Sequence, residues 1–222
     1  MCCSQDIFGG SETTAPTLEW AMAELIQNPK VMERVTAEVR NAFAAHGSVR
    51  EDKLAEAGLR YLPLVIRETL RLHTPLPFLI PQACQEPCRV LGYDVPQGIT
   101  VMVNAWALGR DEQYWPGDPD AFRPERFEAA AGGSAADFKG ADFELPPFGS
   151  GRRMCPGMGF CLHKGTSSRP LCGAVHANVV ASARVLRRGN AVAYGIVGMD
   201  ATMLWPRNAR GSSLCFITLI VL

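Results

Sequence analysis

A cysteine preceded by two arginines and set among glycines stands out in this sequence: Phe148-Gly-Ser-Gly-Arg-Arg-Met-Cys155-Pro-Gly157. Gly149, Gly151 and Gly157 allow a tight loop whose backbone approaches something flat or charged. Arg152 and Arg153 surround the Cys155 sulfur with positive charge, which favours the thiolate. Pro156 can begin a helix, and the dipole at that helix N-terminus favours the thiolate further. A thiolate in a rigid loop beside an arginine suits a metal ligand with an anionic cofactor. The same residues are compatible with a surface turn holding an ordinary buried cysteine, and the loop alone does not separate the two.

Three further groups carry chemistry in a weaker way. Glu68-Thr-Leu-Arg71 places acid and base side by side on a helix. At about 100° per residue the pair lies nearly opposite the main apolar stripe, which reads as a solvent ion pair worth roughly 0–1 kcal/mol. Leu64 and Leu72 share or flank that face, so the helix is apolar almost all round and the pair can also be covered. Gly9-Gly10-Ser-Glu12-Thr13-Thr14 puts two glycines inside a helix, at a cost of roughly 1 kcal/mol each relative to alanine. A kink or a close ligand would justify them, and Glu12 and Thr13 could relay protons at the opening. A frayed helix start would explain the same residues. Pro124-Glu-Arg126-Phe127 offers Arg126 either as a second partner for Glu68 or as a surface arginine.

The elements that position these groups follow from periodicity. Residues 1–27 read as a helix, with Leu18, Met22, Leu25 and Ile26 at helical spacing. Asn28-Pro29 stops it, and Pro29 opens a second helix over 29–45 with Met32, Val35, Val39 and Phe43 on one stripe. A short acidic helix is expected near 51–57. A third long helix covers 59–73, with Leu59, Leu62, Ile66, Leu70 and His73 on one face, closed by Thr74-Pro75-Leu76-Pro77. The runs 88–91 and 100–103 flank Gly92-Tyr93-Asp94 and Pro96-Gln97-Gly98 and read as a small antiparallel sheet. Residues 106–110 could form one short helix. From 111 to 149 the chain is rich in Pro, Gly and aromatics, which predicts a packed irregular segment with a disordered bulge at 129–136.

Composition bounds the whole. The 222 residues are a one-domain length with 47% hydrophobic content, enough for a core. The 22 basic and 22 acidic residues balance, which removes the electrostatic argument for a nucleic-acid partner. The balance conceals a division: residues 1–160 hold 15 basic and 21 acidic side chains, residues 161–222 hold 7 and 1. Such a swing suggests two unlike pieces joined near 160. The chain shows no signal peptide and no run long enough to span a bilayer. Eight cysteines at irregular spacing, without CxxC, are expected to be mostly reduced.

Taken together and in order, the four groups give a specific match. The chain resembles the C-terminal half of a cytochrome P-450, a haem-thiolate monooxygenase. Residues 9–14 are similar to the oxygen-binding groove of the family's I helix, Glu68-x-x-Arg71 to its K-helix pair, and Pro124–Phe127 to its PERF element. Phe148-x-x-Gly151-x-Arg153-x-Cys155-x-Gly157 fits its haem-binding loop at every defining position. Arg71-Leu-His73, Gly92-Tyr-Asp-Val-Pro96 and Trp115-Pro-Gly-Asp-Pro119 look most like the plant microsomal branch. The resemblance implies a mainly α fold with a small antiparallel β-sheet: a partial cytochrome P-450 fold with I, J and K helices, meander and haem-binding loop, and the N-terminal half missing. It implies haem b as cofactor and Cys155 as iron ligand, as in haem-thiolate proteins generally. Arg153 would pair with a propionate, with Phe148, Gly151 and Gly157 completing the cofactor loop. Glu68, Arg71 and Arg126 would form a buried structural triad. Glu12 and Thr13 would manage protons, and Leu76, Pro77, Phe78, Leu79 and Ile80 would line part of the substrate pocket. It further implies an NADPH-dependent reductase, a small lipophilic substrate and an endoplasmic reticulum membrane location. The family's anchor has no counterpart here, which leaves a cytoplasmic location open for this chain.

Departures qualify the match. Relatives often have Pro-Arg after the K helix, where this chain has Pro81-Gln82, so one propionate contact would be lost. After Gly159-Phe160 the resemblance stops, and Gly165 and Pro170 break the helix expected there. Residues 1–160 are thus expected to be a haem-binding portion and 161–222 a non-homologous, poorly ordered tail. Cys161-x-His163 and Cys172-x3-His176 in that tail could close a small zinc site, though at a spacing unlike the usual fingers. Three functions remain: a monooxygenase fragment hydroxylating a small organic molecule, a truncated non-catalytic product with weak or no haem binding, and a zinc module in the tail.

Overall fold

The computed structural model describes residues 3–44, 57–128, 137–138 and 140–159. The expected acidic helix at 51–57, except its last residue, the bulge at 129–136 and the tail 161–222 with its Cys/His pattern lie outside the described residues. Three helices come first: α1 Cys3–Gln27, α2 Pro29–Ala42 and α3 Tyr61–Leu72. α1 contains Pro16, which has no N–H to donate to the carbonyl of Glu12. One turn on, the Thr17 hydroxyl donates to the Thr13 carbonyl at 3.0 Å. Thr17, Ala21 and Leu25 form its buried line, while Ile26 is exposed, so the apolar stripe is rotated from the one periodicity gives. On α2 the expected stripe of Met32, Val35 and Val39, continued by Phe43, is buried in full.

α3 is the hub, packed against α1, α2 and the 3-10 turn Pro124–Phe127. Leu62, Val65, Ile66 and Leu70 are buried on it, and so are Glu68, Thr69, Arg71 and Leu72. Its third side is covered as well: Arg67 lies 5.3 Å from the Phe127 ring and 5.4 Å from Phe138. A helix apolar almost all round is enclosed all round. Its N-terminus lacks a capping side chain at Arg60. Glu38 of α2 replaces one, accepting the N–H groups of Arg60 and Tyr61 at 2.7 Å and of Leu62 at 2.9 Å. The next residue is Pro63, which has no N–H, so one carboxylate satisfies every orphan donor of this helix end.

Antiparallel β-structure forms at the runs 88–91 and 100–103, as expected, with a further short strand before them. β2 Cys88–Val90 pairs with β3 Tyr93–Val95, and β4 Thr100–Val101 pairs with β1 Gln82–Ala83, as two separate antiparallel ladders. Leu91 and Gly92 both take positive φ, 50° and 89°, which makes a two-residue hairpin turn of the primed kind. Tyr93 and Asp94, which the sequence reading places between the two runs, are thereby extended in β3. α4 Ala105–Leu108 follows, capped by the Asn104 side chain, which accepts the Ala107 N–H at 3.0 Å.

The described residues between 111 and 149 are irregular and packed, as their composition predicts. Trp115, Phe122, Phe127, Phe138 and Leu145 join the same core as the helices. The described residues are mainly helical with small antiparallel ladders.

Candidate functional site

Glu68 and Arg71 form the centre of a buried polar cluster. The Glu68 carboxylate accepts Arg71 Nε at 2.8 Å, Arg71 Nη2 at 2.8 Å, the Arg123 backbone N–H at 2.8 Å and Arg126 Nε at 3.1 Å. Glu68 and Arg71 side chains are 0% exposed and Arg126 is 6% exposed. The solvent-pair reading of Glu68 and Arg71 is therefore overturned. The meander residues supply the cover that helical periodicity could not show.

Two guanidiniums against one carboxylate leave a buried positive charge, and backbone carbonyls solvate it. Arg71 donates to the carbonyls of Gly109, Pro119 and Ala121. Arg126 donates to those of Pro116, Asp118 and Ala121. The irregular run 116–121 is thus folded around two arginines, with Asp118 at a φ of 65° to aim its carbonyl. Burial pushes the Arg126 guanidinium below its ordinary value, and Glu68 pulls it back up. Trp115 closes the side, its ring 5.2 Å from the Arg71 guanidinium and its indole N–H donating to the Leu108 carbonyl at 3.0 Å.

A second polar joint connects the PERF turn to the other end of α3. Tyr61 donates its hydroxyl to Glu125, and Arg34 stacks 4.0 Å over the Tyr61 ring. Arg34 also reaches Glu125 at 3.3 Å and Glu128 at 2.8 Å. Burial pushes the Tyr61 phenol well above the usual tyrosine range, and the bond to Glu125 adds to the shift. At the C-terminal end of α3, His73 Nε2 meets Glu24 at 2.7 Å and the ring stacks on Trp20 at 3.9 Å, which ties α3 to α1.

The Cys155 loop is rooted in this core and exposed at its tip. Phe148 is half-buried and meets Phe138 edge to face at 5.6 Å. Pro146 accepts the Gly149 N–H at 3.0 Å, and the Ser150 hydroxyl donates to the Gly140 carbonyl at 2.7 Å. Gly149 and Gly151 have φ of 73° and 68°, positions that L side chains rarely adopt, and Gly151–Arg153 forms a 3-10 turn. The Cys155 N–H returns to the Phe148 carbonyl at 2.9 Å, closing the loop. Cys155 is a free, exposed thiol, and Arg152 and Arg153 are exposed beside it. A turn at 156–157 leads into helical residues at 158–159, the helix start that Pro156 predicts.

This loop fits a haem. A Cβ at Gly157 would stand 3.7 Å from the Cys155 sulfur and fill the space beside it, whereas the glycine leaves that space open. Among the described residues no three metal-ligating side chains converge. Two exposed guanidiniums suit a partner with carboxylates. Gln82, which follows Pro81 after α3, donates its amide to the Ile80 carbonyl at 3.3 Å.

The remaining expected residues lie on other elements. On α1 Glu12 is exposed and Thr13 half-buried. Leu76, Phe78 and Ile80 are exposed, Ile80 at 67%, and Leu79 takes a φ of 51°, so 76–80 forms an apolar ridge. The Pro77 carbonyl accepts the Trp106 N–H at 3.1 Å, which joins that ridge to α4.

Sequence reasoning passed over Glu38, Arg34, Tyr61 and Arg110. The clue to Glu38 was present: a helix opening Arg60-Tyr-Leu-Pro63 has no cap of its own, so an acceptor must come from elsewhere. Arg110 donates to the Leu72 carbonyl at 2.8 Å and pairs with Asp120 at 3.1 Å, and no periodicity predicts that.

The sequence matches the family described as Cytochrome P450 over residues 1–164. It is 52% identical over 153 residues to zealexin A1 synthase of Zea mays, covering 68% of this chain and 29% of that one. It is 52% identical over 156 residues to desmethyl-deoxy-podophyllotoxin synthase of Sinopodophyllum hexandrum, covering 70% and 29%. Tabersonine 16-hydroxylase 1 of Catharanthus roseus is 50% identical over 153 residues, covering 69% and 29%. The chain spans less than a third of the length of each of these curated relatives.

Proposed function

The chain belongs to the cytochrome P450 family, with many plant members among its relatives, and from that membership we propose that Cys155 is the thiolate ligand of a haem b. One observation carries the proposal: an exposed sulfur on a glycine loop whose root is packed into the core, with open space beside the sulfur and guanidiniums next to it. Haem supplies the oxygen-activating iron, as it does throughout this haem-dependent family. The chain's residues would do the rest. Cys155 presents the sulfur, and Arg153 pairs with a propionate carboxylate. Phe148 fixes the loop's root, and Gly151 and Gly157 keep side chains out of the cofactor's way. The buried cluster of Glu68, Arg71 and Arg126 holds the meander on which the loop rests, so these three are positioning residues. Glu12 and Thr13 would hold and move protons near the turn of α1 where Pro16 interrupts the helix ladder. Residues 76–80 offer apolar contact to a substrate.

For the whole protein the proposed activity is hydroxylation of a small lipophilic molecule with dioxygen and electrons from an NADPH-dependent reductase, at the endoplasmic reticulum membrane. Among the described residues no helix is long and apolar enough to cross a membrane, so that attachment would lie in another segment. The charge swing supports a division into a haem-binding portion, 1–160, and a distinct tail, 161–222.

A second reading, haem binding without turnover, draws on the exposure of the 76–80 ridge, because an open pocket does not exclude water. Reconstitution of the chain with haem, NADPH and a plant reductase separates the two. Oxygen- and NADPH-dependent product from a lipophilic substrate panel supports the monooxygenase. Haem bound with NADPH consumed only to peroxide supports the second reading.

A further inference from the structure

The corner between the two β-ladders holds a pair of thiols that the haem site does not use. Cys84 ends the β1–β4 ladder: its N–H donates to the Ile99 carbonyl at 2.8 Å and its carbonyl accepts the Gly98 N–H at 2.8 Å. Cys88 opens β2, opposite Val95. Only Gln85, Glu86 and Pro87 separate them, and the two sulfurs lie 3.7 Å apart. The Cys84 thiol donates to the Glu86 carbonyl at 2.9 Å, which leaves its sulfur as acceptor for the Cys88 thiol. Cys84 is half-buried and Cys88 is exposed.

We propose that Cys84 and Cys88 form a dithiol modification site that small disulfides such as oxidised glutathione convert reversibly to an intramolecular cystine. A disulfide needs sulfurs about 2.05 Å apart, so closure asks for an approach of about 1.7 Å, within the reach of side-chain rotation. The thiolate of exposed Cys88 attacks one sulfur of glutathione disulfide. The other glutathione leaves as thiolate and takes up a proton, and a mixed disulfide remains on Cys88. Cys84, losing its proton, then attacks the Cys88 sulfur and expels the second glutathione as a thiol. The protein loses two electrons and two protons, and two glutathione thiols are formed. The contact with Cys84 pushes the Cys88 thiol up from its ordinary value. The first step therefore speeds up as pH rises. The product joins the end of one ladder to the start of the other, a few residues from the apolar ridge at 76–80.

The test uses the whole chain in glutathione buffers graded from reduced to oxidised, with alkylation of free thiols and trypsin digestion. Cleavage after Arg71 and Arg89 places both cysteines in one peptide, Leu72–Arg89. The expected product is that peptide lighter by two hydrogens, unalkylated, and taking two alkyl groups after reduction. It should appear at a more reducing glutathione ratio in the folded chain than in the chain unfolded in urea. In Cys84→Ser the reaction should stop with one glutathione on Cys88. Stable glutathione adducts on native Cys84 or Cys88 without the internal bond would overturn the proposal. So would two alkylated cysteines at the most oxidising ratio, or no difference between folded and urea-unfolded chains.

Discussion

Replacing Glu68 by alanine removes one carboxylate and strands two guanidiniums. Arg71 would remain 0% exposed and Arg126 6% exposed, each with its backbone carbonyls but without a counter-charge. The four bonds that Glu68 accepts would sum to about 6–12 kcal/mol at 1.5–3 kcal/mol per charge-assisted bond. That sum overshoots, because the arginines can relax toward their carbonyls. Breaking one buried ion pair costs about 3–5 kcal/mol, and two stranded charges place Glu68→Ala at about 5 kcal/mol. Arg126→Ala leaves Glu68 paired with Arg71 and the Arg123 N–H, so about 1–3 kcal/mol is expected. The double variant Glu68→Leu, Arg71→Leu should not recover the loss. Apolar replacement can rescue a buried pair in isolation, but here the carbonyls of Gly109 and Pro119 would lose their arginine donor and Arg126 its carboxylate. Urea unfolding followed by circular dichroism reads each value, with slopes compared to check that the unfolded states match. A loss below about 1 kcal/mol for Glu68→Ala, the range of an exposed pair, would refute the reasoning.

Glu38→Ala should cost about 1–2 kcal/mol, since three N–H groups at the start of α3 lose their acceptor. Hydrogen exchange should then quicken at residues 60–62 first, and unchanged exchange there would count against the cap. The phenol of Tyr61 titrates above the ordinary tyrosine range. Its contribution to stability is therefore complete below that range and lost as pH rises through the folded-state value. The ultraviolet titration difference between native chain and Tyr61→Phe should show no phenolate from Tyr61 at the ordinary tyrosine value. Gly109→Ala would drive a Cβ into the Arg71 carbonyl oxygen and should cost about 1–3 kcal/mol, read in the same urea series.

The helices were legible because their apolar spacing is local. Met32, Val35, Val39 and Phe43 announce α2 and its buried face without help. The loop at Cys155 was legible because glycine positions and flanking charge are also local. The burial of Glu68 was expected from the family resemblance alone; periodicity could not show it, because its cover comes from residues 109–126, a stretch with no period to read. The small antiparallel sheet was legible from its apolar runs, but which strands pair was not, for a related reason. β1 is two residues long, too short to announce itself, and Leu91 takes a backbone conformation that a leucine seldom adopts. Glu38 is invisible for its role because a carboxylate on α2 says nothing of which helix end lies above it.

The most direct test of Cys155 as haem ligand is a titration of the chain with ferric protoporphyrin, followed by the carbon-monoxide difference spectrum after reduction. The native chain should give the red-shifted Soret band of thiolate ligation. Cys84→Ser should keep the band and Cys155→Ala should lose it. No thiolate band in the native chain, or one that survives Cys155→Ala, would contradict the assignment.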